Sequence, residues 1–146
     1  MYWDTSLETN IPVVDQQHKE MFRQLDVLLD YTNPARIFET LAFLADYVVK
    51  HFGTEELMQK SARYPLAEMH KEEHEAFVGA YSELKRQYEE SGEDFIVLNK
   101  LIKMIMDWLH MHIMGLDKDF AVYFKEYCQK SKQRSLASTD TEVIYR

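Results

Sequence analysis

The chain has 146 residues, 46% hydrophobic and 13% aromatic, with only four glycines and three prolines, enough for one largely helical domain with a proper core. A formal net charge of −8 excludes a nucleic-acid groove and an anionic membrane surface, both of which need clustered Lys and Arg, so no nucleic acid is expected as a partner. The single cysteine, Cys128, permits no intrachain disulfide; no signal-peptide pattern or long uncharged apolar run is present, so a cytoplasmic location without membrane insertion is expected.

Residues 1–14 read as an extended arm whose Trp3, Leu7, Ile11, Val13 and Val14 lie against a bundle. Asp15 is the expected N-cap of a first helix reaching about residue 31, with His18, Met21, Phe22, Leu25, Leu28 and Leu29 facing inward. Thr32-Asn33-Pro34 breaks that helix and restarts another, since Asn caps and Pro suits the first helical position; the second helix is predicted over 34–61. Tyr64-Pro65 interrupts again, and a third helix is predicted over 66–90, ending before Ser91-Gly92. The fourth, over 94–113, has Leu98, Leu101, Ile102, Ile105, Trp108, Leu109 and His112 on one stripe. Gly115 is expected to loosen the chain before a short helix from Asp119 to Gln129, with Phe120, Tyr123, Phe124 and Tyr127 on its apolar side. Residues 131–146 are expected to form a polar, poorly ordered tail or linker after a domain spanning 1–130, although the final five residues regain apolar character. The predicted fold class is all-α: an antiparallel up-down-up-down four-helix bundle with an extended N-terminal arm and a short C-terminal helix.

The chemistry sits on the inward stripes. Ile37, Leu41, Leu44 and Val48 run at alternating four- and three-residue steps into His51, Glu55 and Met58, and His70 and His74 run likewise into Phe77, Tyr81, Leu84 and Tyr88. His51 with Glu55, and His70 with His74, are spaced i, i+4, which stacks each pair on one helix face. A single core histidine is usually just hydrogen-bonded. Five inward imidazoles (His18, His51, His70, His74, His112) with Glu55 and the nearby Asp117 would instead be costly to desolvate unless they shared a metal. Five nitrogens and two carboxylates exceed one tetrahedral zinc. Two first-row ions sharing the carboxylates, iron or manganese rather than zinc alone, is the economical count. His110, two residues from His112, is expected on the surface. The methionines do not converge with a cysteine, which argues against copper. His70-Lys71-Glu72-Glu73-His74 matches the H-x-x-E-H protease pattern, but that reading leaves the other five donors unexplained.

Together, D-Q-Q-H at His18, H-F-x-x-E at His51 and Glu55, H-x-x-E-H at His70 and His74, and W-L-x-x-H-I-x-x-x-D at Trp108, His112 and Asp117 resemble the hemerythrin family, specifically its bacterial branch, over roughly residues 3 to 128. The resemblance implies two iron ions in an oxo- or hydroxo-bridged non-heme diiron centre. It places His70, His74 and His112 on one iron, His18 and His51 on the other, and Glu55 and Asp117 between them. It further implies reversible, end-on O2 binding at the second iron's open position, in a pocket of Met21, Phe52, Trp108, Leu109 and Ile113. Oxygen sensing, storage or delivery is the leading expectation; a redox sensor or a diiron enzyme acting on O2, peroxide or nitric oxide is the alternative. Similar domains are joined to signalling output modules of diguanylate cyclase or chemoreceptor type, so a fused or cognate output domain is a further expected partner.

Overall fold

A computed structural model describes residues 3–30 and 33–144, and the described residues are helical with no strand. After a short 3-10 turn at Thr5–Leu7 come α1 (Pro12–Leu28), α2 (Pro34–Ser61), α3 (Ala67–Glu90) and α4 (Phe95–His112). A π-helical turn, Ile113–Asp117, then leads directly into α5 (Lys118–Ile144). Consecutive helices α1 to α4 pack side by side and α4 returns to α1, which closes the predicted four-helix bundle.

The ends of α2 follow the predicted local chemistry. The Asn33 side chain accepts from the Arg36 N–H at 3.2 Å, and Pro34 occupies the first turn. At the other end Arg63 adopts a left-handed conformation (φ 54°), so the Tyr64 N–H turns back to the Gln59 carbonyl at 2.9 Å and stops the helix.

Four expectations are corrected. α1 begins at Pro12 rather than after Asp15, so Pro12, Val13 and Val14 are helical instead of extended. Asn10, in the left-handed region (φ 64°), makes the turn that permits the early start. Asp15 still accepts backbone N–H groups, but those of Thr9 (2.8 Å) and Asn10 (3.1 Å), so it fastens the arm rather than capping the helix. α1 ends at Leu28, leaving Leu29 exposed; Tyr31 and Thr32 lie outside the described residues. Gly115 does not break the chain, because the π-helical turn carries it through without loss of helicity. Finally, α5 continues past Gln129 to Ile144, since the stretch after Gly115 contains no Gly or Pro and is rich in Lys, Gln, Arg, Leu and Ala. Tyr145 and Arg146, which end the apolar C-terminal residues, lie outside the described residues.

The arm lies against the bundle as expected except at Val13, which is exposed: Leu7 is buried in the main core and Trp3 packs on it beneath Lys19, whose ammonium is 4.4 Å from the indole centroid. The main core runs from Leu28, Leu41, Tyr88 and Leu101 up to Phe52, Leu109 and Ile113. A second, smaller cluster of Ile11, Val14, Tyr64, Phe120 and Ala121 holds the start of α1 against the end of α2 and α5.

Candidate metal centre

All seven predicted donors are buried, and they form two overlapping groups. Glu55, His70, His74, His112 and Asp117 each offer a ligand atom within 4.8 Å of the others, and so do His18, His51, Glu55 and Asp117. Glu55 and Asp117 belong to both. The helical phase explains the convergence. His51 and Glu55 continue the α2 stripe, His70 and His74 open α3, His112 closes α4, and the wide π-helical turn swings Asp117 inward one turn later.

The nitrogens face one another. His18 and His51 bring their Nε2 atoms to 3.1 Å, His70 and His112 to 2.9 Å, and His74 and His112 to 3.1 Å. His18 Nε2 also lies 3.1 Å from Asp117 and 3.5 Å from Glu55, while His70 Nε2 lies 3.1 Å from Asp117 and 3.2 Å from Glu55. Yet among the described residues no oxygen of either carboxylate has a properly directed hydrogen bond. Lone pairs aimed at shared points, with their carboxylates unsatisfied and out of water, are what cations between them would resolve. The donor set of imidazole and carboxylate therefore fits first-row metal ions.

Electrostatics of the metal-free cluster point the same way. Burial pulls His18 and His70 down, but the Asp117 and Glu55 carboxylates beside each more than offset this and hold both imidazoles up at about 9. Burial pushes Glu55 and Asp117 up, and in Asp117 the Glu55 charge adds to it; the surrounding imidazoles nevertheless hold both carboxyls well below their ordinary range. Burial, aided by the charges of His112 and His70, keeps His74 below its usual value despite Glu55.

Two neighbours that the sequence reading passed over orient the imidazoles. The Gln17 amide oxygen lies 2.7 Å from His51 Nδ1; because that oxygen can only accept, Nδ1 carries the proton and Nε2 is left as a bare lone pair. The Gln17 amide nitrogen in turn donates to Thr54 Oγ1 (3.3 Å), which donates to the Lys50 carbonyl (3.1 Å). His74 Nδ1 is 3.3 Å from the Glu56 carboxylate, which does the same for His74. Each of these residues adjoins a predicted donor in sequence, and that adjacency was the available signal. A third, Gln59, is fully buried one turn beyond Glu55, with neither amide atom partnered among the described residues. It takes the inward position expected of Met58, which is only half-buried.

Aromatic rings sheathe one side of the cluster. Phe52 stacks on His74 with centroids 3.8 Å apart and an interplanar angle of 6°, and Trp108 stacks on His112 at 4.2 Å and 15°. Met21, Leu109 and Ile113 are buried in the adjoining core. His110 is exposed, as its phase requires.

Residues 9–123 match the family model described as the hemerythrin HHE cation binding domain. The chain belongs to the hemerythrin family. A bacteriohemerythrin of Stenotrophomonas maltophilia is 32% identical over 130 residues, covering 87% of this chain and 83% of that protein. A myohemerythrin of Theromyzon tessulatum is 34% identical over 115 residues, covering 79% and 86%. The crystal structure of a wild-type hemerythrin superposes with a TM-score of 0.75 at 31% identity, covering 85% of this chain and 97% of that one. The buried His, Glu and Asp cluster of this hemerythrin is accordingly a non-heme diiron site, and the chain is an O2-binding protein. No helix among the described residues is long and apolar enough to cross a membrane.

Proposed function

We propose that this hemerythrin binds O2 reversibly, with His70, His74 and His112 on one iron, His18 and His51 on the other, and Glu55 and Asp117 bridging. The observation that carries this reading is the overlap of the two donor groups in two carboxylates, three imidazoles on one side and two on the other. The side with two imidazoles is short one nitrogen donor, which leaves a place for a diatomic ligand. The iron pair, when bound, supplies the two electrons that reversible O2 binding borrows.

The chain's own residues do the rest. Gln17 and Glu56 hold His51 and His74 in one tautomer and orientation, so the donor atoms need no reorganisation. Phe52, Trp108, Met21, Leu109 and Ile113 exclude water from the O2 side, which retards loss of an electron to solvent-assisted oxidation. Mostly neutral imidazoles donate less negative charge than a carboxylate-rich set, which favours release of O2 over its activation. Carriage or sensing follows better from these features than turnover does. The sensing form, with a cognate or fused output module, draws support from α5, which leaves the centre as one uninterrupted helix.

The test is an iron count on purified protein, with anaerobic reduction, O2 addition and absorption spectra before and after the gas is removed. About two irons per chain and visible bands that come and go with O2 are expected. Two irons with only irreversible oxidation would replace this reading with a redox sensor or an enzyme.

A further inference from the structure

We propose that O2 reaches the centre through a cleft between α2 and α3, with the Phe52 ring as its gate; the inference rests on the O2-binding reading above. The cleft has a volume of about 390 Å³ and opens to solvent between Val49 and Gly53 on α2 and Val78 on α3. Its floor is Phe52 and His74. Phe52 thus belongs to two places at once. It lines the cleft, and it lies 3.8, 5.8 and 6.4 Å, centroid to centroid, from the rings of His74, His51 and His112. It also meets Phe77 and Trp108 edge-on at 5.8 and 5.5 Å, in the sheath around the imidazoles. Phe52 neighbours both His74, at the floor of the cleft, and His51, on the two-imidazole side where the open place lies, and a rotation of its ring opens a way from the first to the second.

Gly53 supplies the second argument. Glycine inside a helix costs about 1 kcal/mol relative to alanine, so a helical glycine usually has a packing reason. A Cβ at Gly53 would meet nothing within 4 Å, as would one at Gly79 inside α3, so packing requires glycine at neither; what sets Gly53 apart is its place in the cleft lining. The missing side chain leaves open space at the mouth of the cleft, next to Phe52. The rim also carries the Glu56 and Glu75 carboxylates, which a neutral diatomic ignores and an anion does not.

The experiment compares the iron-loaded wild type with Gly53→Leu, Gly53→Ala and Val78→Ala by flow-flash kinetics of O2 association and dissociation. Plugging the mouth with Gly53→Leu is expected to slow both rates together, by about tenfold, and leave the dissociation constant unchanged. Gly53→Ala, which adds too little to close the mouth, should keep wild-type rates, and Val78→Ala should speed both. Azide binding to the diferric protein should slow with Gly53→Leu and quicken with Glu75→Gln, by about threefold at low ionic strength, while O2 rates ignore the latter change. Crystals of the iron-loaded wild type under xenon should hold the gas between Val49 and Val78, and those of Gly53→Leu should not. Wild-type O2 rates in both Gly53→Leu and Val78→Ala, or xenon only at sites that touch neither residue, would overturn the proposal. Absence of any O2-dependent bands in the wild type would instead overturn the reading on which it rests.

Discussion

Along the same four helices the bundle contains two unlike interiors. Between Leu25 and Leu28 of α1, Leu41 and Leu44 of α2, Tyr81 and Tyr88 of α3 and Leu98 and Leu101 of α4, the core is hydrocarbon with few polar atoms. The Tyr81 hydroxyl there is satisfied by donating to the Leu41 carbonyl at 2.6 Å. About two turns further along, the same inward stripes carry five imidazoles, two carboxylates and the Gln59 amide, and polar atom after polar atom lacks a partner. The first interior obeys the rule that buried polar groups are paired, and the second breaks it repeatedly. Stability therefore comes mainly from the hydrocarbon end, and the ligand end draws on it until metal occupies the cluster.

Substitutions can separate the two ends. The largest effect expected is at the bridges: Glu55→Ala or Asp117→Ala should lose paired iron, with an iron count well below that of wild type and no O2-dependent bands. A full iron count in either variant would mean that the shared carboxylates are not bridges. Next comes Leu101→Ala, which empties a site with 0% exposure and should cost about 2–5 kcal/mol by urea titration. The folded fraction should nevertheless keep its iron, and parallel loss of both would show that the ends are not separable.

Acidity divides them as well. His18 and His70 are held at about 9 in the metal-free chain against an ordinary 6.5, so their contribution to stability is complete below pH 6.5 and lost as pH rises through about 9. The depressed Glu55 and Asp117 carboxyls contribute above their ordinary values of 4.5 and 3.8 and lose that contribution as pH falls. His74, held below its ordinary 6.5, contributes only above that value, so metal-free protein should be most stable near pH 6.5 and weaken toward about pH 9.5, whereas iron-loaded protein, with its imidazoles already neutral, should not weaken there. Equal urea midpoints for metal-free protein at the two values would contradict these raised imidazoles.

Smaller still is Gln59→Met, which removes a buried amide without a partner among the described residues and should raise stability by about 1 kcal/mol without changing the iron count. A loss of stability would mean that the amide is bonded in solution. His110→Ala should do almost nothing, within about 0.5 kcal/mol and with both irons retained, since the side chain is exposed.

Six of the seven candidate donors are legible in the sequence because each lies on a stripe whose other members are unmistakably apolar; Asp117, just beyond the fourth helix, is legible only from its nearness to His112 and from the family motif. Where the reading failed, the deciding information was not periodic. Asp15 looked like a cap because nothing in its own neighbourhood says that Asn10 takes a left-handed turn and lets the helix start earlier. Gly115 is read as loosening the chain because local propensity does not register the π-helical turn that carries Asp117 inward. A strict 3.5-residue repeat predicts Met58 inward, whereas the 3.6-residue period of an α-helix drifts from it and brings Gln59 there instead. Gln17 and Glu56 act across helices, on His51 and His74, so only the packed bundle reveals their targets.

The joint at Ile113–Asp117 gives the molecule a mechanical property. Asp117 is both part of the cluster and the last residue before α5, with no hinge between them. α5 spans 27 residues, about 40 Å at the helical rise, and its first turns are pinned to the bundle by Phe120, Ala121 and the Tyr123 and Tyr127 hydroxyls, so it is a lever whose fulcrum is that end. One degree of tilt at that fulcrum displaces the far tip by about 0.7 Å. A rotation too small to disturb the core is thereby magnified at the far tip.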